Sequence, residues 1–189
     1  CGDFTAGITH LEQPQGRSLY LFLGGTIGNF DPVAAESFIN EIAAHMRPGD
    51  ALLLGADRIK DHDVLHAAYN DEQGLTAEFN LNLLSVLNRE LGANFMPEHF
   101  RHEASYNVRD SQIEMYLVAE KPQSIFFGQL GKVLDIQQDE GILTEISRKF
   151  SYDSIRHLIE KAGLVEAAHY EPENGWFSLM LATRPDFSD

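Results

Sequence analysis

Two stretches of this chain put hydrogen-bonding side chains where a ligand can be read. The first is Gly24-Gly25-Thr26-Ile27-Gly28-Asn29, three glycines and two polar side chains directly after an apolar run. Glycine lets a backbone come close to a ligand, but the same composition serves a plain strand-to-helix turn, and the residues alone leave both open. The second is Thr144-Glu145-Ile146-Ser147-Arg148-Lys149. If this segment is extended, Glu145 and Ser147 share one face and can accept N–H groups from a polar ring; an exposed strand with scattered charges is the alternative.

Other chemistries find less support. His62-Asp63-Val64-Leu65-His66 places two imidazoles at i and i+4 of a helix, near the H-E-x-x-H zinc pattern. Asp63 stands where that pattern has Glu and no third ligand is evident, so ordinary surface residues are the expectation and no metal site is assigned. The run Gly128-Gln129-Leu130-Gly131-Lys132 lacks the first Gly and the Ser/Thr of a phosphate-binding loop, and no G-x-G-x-x-G or G-x-S-x-G is present. Cys1, the single cysteine, is an isolated thiol at the chain's start.

The elements that must position these residues follow from periodicity. Ser18–Leu23 is a continuous apolar run, expected as a strand buried on both faces. Asp31 is a good N-cap with Pro32 behind it, and Val33, Phe38, Ile39 and Ile42 recur at helical spacing until Pro48-Gly49. Ala51–Leu54 is a second buried strand, so strand, loop, helix and strand make a βαβ unit of an open α/β sheet, whose ligand loops leave the carboxyl ends of the strands. Asp61–Tyr69 and Leu75–Leu91 are predicted helices, the longer with Phe79, Leu83, Val86, Leu87 and Leu91 on one face. From Phe100 to Ile136 the period changes to two, with Ile113, Met115 and Leu117 alternating with Glu114, Tyr116 and Val118, and further strands at Ser124–Phe127 and Lys132–Ile136. This predicts a small lobe inserted into the α/β domain. A helix from Ser151 to Gly163 and a hairpin of Leu164–Tyr170 with Trp176–Ala182 complete the sheet. The division expected is 1–60 and 148–189 for the α/β core and 61–147 for a substrate-binding lobe.

The chain has 189 residues, 43% of them hydrophobic, enough for a buried core. Its 29 acidic against 14 basic residues repel a phosphate backbone and argue against a nucleic-acid partner. No apolar run approaches the roughly 20 residues of a membrane-spanning helix. With one cysteine and no N-x-[ST] acceptor, a reducing cytoplasm is the expected compartment. The chain begins without Met and is almost at once in strand-like sequence, which predicts an N-terminal truncation.

Gly2-Asp3-Phe4, LGGTIGNF, LLLGADRIKD, AAYND, GLTAEFNLNLLSVLNRELGA, IEMYL, TEISRKF and the terminal GWFSLML together resemble the histidine-specific S-adenosylmethionine-dependent methyltransferases of ergothioneine biosynthesis, over essentially the whole chain. The resemblance implies the C-terminal part of a class I, Rossmann-like methyltransferase sheet with an inserted α+β substrate lobe. S-adenosylmethionine (SAM) is the implied cofactor, with Asp3 and Phe4 beside the adenine and Gly24 beside the methionine part. By the same resemblance, Asn29 and Tyr69 hold the α-carboxylate of an amino-acid substrate. Thr76 lies near that substrate, Met115 walls its side-chain pocket, and Glu145 with Ser147 bind an imidazole. The implied reaction is methylation of the α-amine of histidine up to the trimethylated betaine, and no catalytic residue is assigned. The family's N-terminal section, carrying the first glycine-rich cofactor motif, is absent. Two alternatives stay open: a relative that methylates another amino acid, and a non-catalytic fragment or binding module.

Overall fold

The computed structural model describes residues 2–4, 7–8 and 15–186, and Cys1 lies outside them. In chain order the first half comprises β1 (Leu19–Phe22), α1 (Pro32–His45), β2 (Ala51–Asp57), α2 (His62–Tyr69), α3 (Leu75–Leu91), β3 (Phe100–Asn107) and β4 (Gln112–Ala119). The second half comprises β5 (Gln123–Phe127), β6 (Lys132–Ile136), β7 (Gly141–Arg148), α4 (Tyr152–Lys161), β8 (Val165–Tyr170) and β9 (Phe177–Thr183). They divide into two compact units, Cys1–Ile59 with Ser147–Asp189, and Lys60–Ile146.

The first unit carries a four-stranded sheet of order β1-β2-β9-β8. β1 and β2 are parallel, from Leu19↔Ala51 to Phe22↔Leu54, and α1 is the crossover between them. That crossover starts where the sequence predicts: the Asp31 carboxylate accepts from the Ala34 N–H at 2.8 Å, and Pro32 is the first helical residue. β9 runs antiparallel to β2 and to β8. Leu52, Leu54 and Ala56 face Ala182, Met180 and Ser178 in register, all buried, which is the period of two expected of a covered sheet face. Phe38, Ile39 and Ile42 of α1 and Ile155, Leu158 and Ile159 of α4 complete the same core. A parallel pair with a helical crossover, closed by an antiparallel hairpin, is the Rossmann-like α/β architecture.

Two expectations for this unit need correction. β1 is not buried on both faces: Leu19 and Leu21 are 57% and 59% exposed, while Tyr20 and Phe22 pack on the core. The reason is position, since among the described residues β1 is an edge strand covered on one face only. Val33 is likewise exposed, because it sits in the first turn of α1 away from the row of Phe38, Ile39 and Ile42.

The second unit is α+β, with α2 and α3, a three-stranded sheet of order β3-β4-β7 and the hairpin β5-β6. Here the face of α3 departs from its apolar pattern. Asn80 and Leu84 are the buried residues, whereas Phe79 is 69% exposed and Leu83 lies at the surface. Of the apolar row at helical spacing, Phe79 and Leu83 therefore look outward, while Leu87 packs on the core of this unit.

The chain re-enters the first unit at Ser147. Residues 147–150 run beside the end of β2: the Phe150 N–H donates to the Asp57 carbonyl at 2.8 Å, and the Ile59 N–H donates to the Phe150 carbonyl at 3.0 Å. Gly28 lies against this segment so closely that a Cβ there would stand 2.7 Å from the Arg148 carbonyl oxygen. Gly28→Ala is therefore expected to destabilise the protein by about 1–3 kcal/mol, the usual cost of overpacking. Urea unfolding should show a lower midpoint at unchanged m-value. An unchanged midpoint would mean that the Arg148 main chain yields freely.

Candidate functional site

In the first unit, the loop after β1 is a glycine turn followed by one turn of 3-10 helix, Thr26–Asn29. Gly24 and Gly25 have φ of 79° and 74°, the left-handed region that glycine enters without strain. A Cβ on Gly24 would meet only the Thr26 hydroxyl, at 3.7 Å, so the space in front of this backbone is open. Thr26 is turned back on the loop, its hydroxyl donating to the Leu23 carbonyl. Asn29 ends the turn with an exposed side chain. Nearby Phe4 is 42% exposed and packs edge-on against Phe22 at 5.6 Å and Phe38 at 5.8 Å, next to the exposed Asp3.

Ser147 is buried at the end of β7. Its hydroxyl accepts a hydrogen bond from the Lys149 ammonium at 2.7 Å, and that ammonium, its side chain fully buried, pairs with Asp57 at 2.9 Å. The neighbouring Arg148 guanidinium lies over the Phe150 ring and is held below its ordinary pKa by burial, with Asp31 and Glu36 pulling it back up.

In the second unit, Glu145 lies two residues before Ser147 on β7, so the alternation of a strand puts both on one face. Glu145 lines a half-open cavity of about 270 Å³. The other walls are Thr144 and, from α3, Phe79, Asn80, Asn82, Leu83 and Val86. The apolar stripe of α3 thus meets a carboxylate across a concave surface. Met115 is not among those walls; it is buried with Leu65, Ala104 and Ile113, and Tyr69 packs on that cluster. Thr76 sits in the first turn of α3, where its main-chain N–H donates to Asp71 at 2.9 Å and its hydroxyl to the same carboxylate.

The second unit also contains a positioning network that the sequence did not announce. The Asn80 amide donates to the Tyr116 carbonyl, so the same NH2 group donates to His102 Nδ1 at 3.0 Å. His102 Nε2–H is then the donor to the Tyr69 carbonyl at 2.9 Å. Asn70 adds a two-way bridge, donating to the Ala104 carbonyl and accepting from its N–H. Tyr69 is fixed from both sides by groups that are distant in sequence; only a buried asparagine in an otherwise apolar helix row hinted at them. His62 and His66, by contrast, lie exposed on α2 with ring centroids 6.3 Å apart. Among the described residues no group of three or more His, Cys, Asp or Glu is placed to hold a metal.

Residues 1–184 match the family described as histidine-specific methyltransferase, SAM-dependent. The chain belongs to this family. Among curated members, the histidine N-alpha-methyltransferase of Mycobacterium tuberculosis is 42% identical over 184 residues, 97% of this chain and 57% of that protein. Ergothioneine biosynthesis protein 1 of Schizosaccharomyces pombe is 28% identical over 97% of this chain and 24% of its own length. The CcbJ methyltransferase of Streptomyces caelestis superposes with a TM-score of 0.49 at 8% identity, covering 98% of this chain and 62% of that one. The chain thus spans little more than half of the mycobacterial relative it matches. For a member of the SAM-dependent methyltransferases, the first unit offers suitable groups: a part-exposed aromatic ring beside a carboxylate, and a glycine whose missing Cβ leaves the backbone approachable.

The hold on Thr76 has a measurable signature. The Thr76 hydroxyl and the N–H groups of Thr76 and Leu75 hold the Asp71 carboxyl down at about 2, below the ordinary 3.8. A carboxyl whose pKa is depressed in the folded state stabilises that state above its unfolded pKa, and the contribution is lost as pH falls through the folded value. The first turn of α3 should therefore stay capped at pH 4 and loosen toward pH 2. An NMR titration should show the Asp71 carboxyl and the Thr76 amide moving together with a midpoint near 2; a midpoint near 4 would remove Asp71 as the anchor of this turn.

Proposed function

We propose that the whole protein transfers methyl groups from SAM to the α-amine of histidine, up to the trimethylated betaine of the ergothioneine pathway. The observation that carries this is the family match over residues 1–184 together with a carboxylate and a hydroxyl two apart on one face of β7. Such a pair suits a ring with nitrogen at its rim better than a purely apolar one.

When bound, SAM supplies an electrophilic methyl group on a sulfonium. Asp3 and Phe4 would hold its adenine, the carboxylate accepting from the exocyclic amine and the ring stacking, and Gly24 would admit its amino-acid end. Asn29 and Tyr69 would donate to the substrate α-carboxylate from an amide and a phenol. Thr76 and Met115 act from behind, Thr76 by holding the start of α3 and Met115 by packing under Tyr69. The second unit serves as the substrate-binding lobe. Glu145 accepts an imidazole N–H, and Ser147 meets the other ring nitrogen. Orientation of a neutral amine in line with the methyl can lower the barrier by roughly 7–11 kcal/mol, so no nucleophilic side chain is required. The single cysteine supports a reducing, cytoplasmic setting.

With SAM and histidine, the whole protein should yield mono-, di- and trimethylated histidine by mass spectrometry. Methylation of another amino acid with none on histidine would overturn the substrate. Glu145→Ala should lower kcat/KM for histidine by roughly 10- to 150-fold, the loss of one hydrogen bond to a charged group. Asn29→Ala should impair histidine and apolar amino acids alike. Equal selectivity in the two variants would show that the ring and the carboxylate are not read separately.

A further inference from the structure

Asn80 is only 3% exposed, and both hydrogens of its amide are committed, one to the Tyr116 carbonyl at 3.2 Å and one to His102 Nδ1 at 3.0 Å. The flipped amide is excluded, because it would set oxygen against the Tyr116 carbonyl, which can only accept. The Asn80 oxygen, Oδ1, is used by none of the roles above. Among the described residues no donor reaches it, yet it is not one of the enclosed polar atoms left without a partner, so it borders open space. The open space beside Asn80 is the cavity of about 270 Å³ between α3 and β7.

The rest of the lining gives that oxygen its meaning. Phe79, Leu83 and Val86 supply an apolar wall from α3. Thr144, on β7, donates its hydroxyl proton to the Met115 carbonyl at 3.0 Å, so it too has only lone pairs to offer. The less exposed polar groups of the cavity thus accept and do not donate. We infer that this cavity binds a small aromatic molecule with one N–H at its edge, the ring against Phe79, Leu83 and Val86 and the N–H on Asn80 Oδ1. The volume is several times the roughly 30 Å³ that one water takes up in the liquid, which leaves room for such a ring. A ring without a donor would strip water from Oδ1 and give nothing back, and a ring with an acceptor at the same edge would add repulsion. The site goes beyond the function proposed above and asks nothing of Glu145 or Ser147, since every group it uses belongs to the second unit.

The test uses the whole protein, without SAM or histidine, and calorimetric titration with indole and with benzofuran, which has the same shape but an oxygen in place of the N–H. Indole should bind about 2- to 13-fold more tightly than benzofuran, the worth of one neutral hydrogen bond. Asn80→Leu should remove that preference while leaving both rings bound. Leu83→Trp should abolish both, because it fills the cavity from a surface position on α3 that the core does not need. Absence of indole binding, equal binding of the two rings to the unaltered protein, or a preference that survives Asn80→Leu would each overturn the inference. Unchanged indole binding in Leu83→Trp would place the ring elsewhere and do the same. Should Asn80→Leu not fold, the two rings on the unaltered protein and on Leu83→Trp still decide. Methylation of histidine is scored separately, so this site can fail while the proposed function stands.

Discussion

Residues 147–150 join everything that matters in the first unit. Phe150 exchanges main-chain hydrogen bonds with Asp57 and Ile59, Lys149 places a buried cation on the Asp57 carboxylate, and Arg148 presents its main chain to Gly28 at a distance that no side chain fits. One short segment thus clamps the end of β2 and the loop after β1 at once. Had the ion pair been absent, the buried lysine would be an uncompensated charge; had Gly28 carried a Cβ, the loop would be pushed off the strand. Ser147 inherits its position from these constraints, since it immediately precedes the clamped residues at the end of β7.

The second unit solves a different problem. Its helix α3 must be attached firmly enough to present a surface, yet leave that surface apolar and open. Attachment falls to Asn80 and Leu84, with Asn80 buying its burial by hydrogen bonds to Tyr116 and His102. Presentation falls to Phe79, Leu83 and Val86, which line the cavity with Glu145. An apolar stripe at helical spacing is commonly a core seam; here Asn80 takes a buried position and Phe79 and Leu83 look outward, while Leu87 stays packed on the core.

In the segment around Tyr69 the neighbouring polar side chains hold the main chain in place. In Tyr69-Asn70-Asp71, the asparagine bridges to the Ala104 main chain and the aspartate caps the next helix. Both hold the tyrosine's segment in place, and His102 holds its carbonyl. Positioning of this kind is economical, because polar side chains satisfied by main-chain groups are stable and direct at the same time.

The sequence by itself determined the local elements. Asp31-Pro32 started α1, Ser151 started α4, Gly163 ended it, and the change of period after Phe100 announced an antiparallel lobe, because caps, turns and alternation are decided within a few residues. The same-face spacing of Glu145 and Ser147 was visible too, since it needs only that β7 be extended. What tertiary structure decided were the exposures and partners. Leu19 and Leu21 lie open because β1 is an edge among the described strands, Phe79 faces a cavity because Asn80 is the buried residue, and Lys149 is an internal cation because Asp57, ninety-odd residues earlier, ends the strand beside it. Periodicity reports which residues share a face but not what that face meets, and an ion pair between strand ends leaves no trace in local spacing.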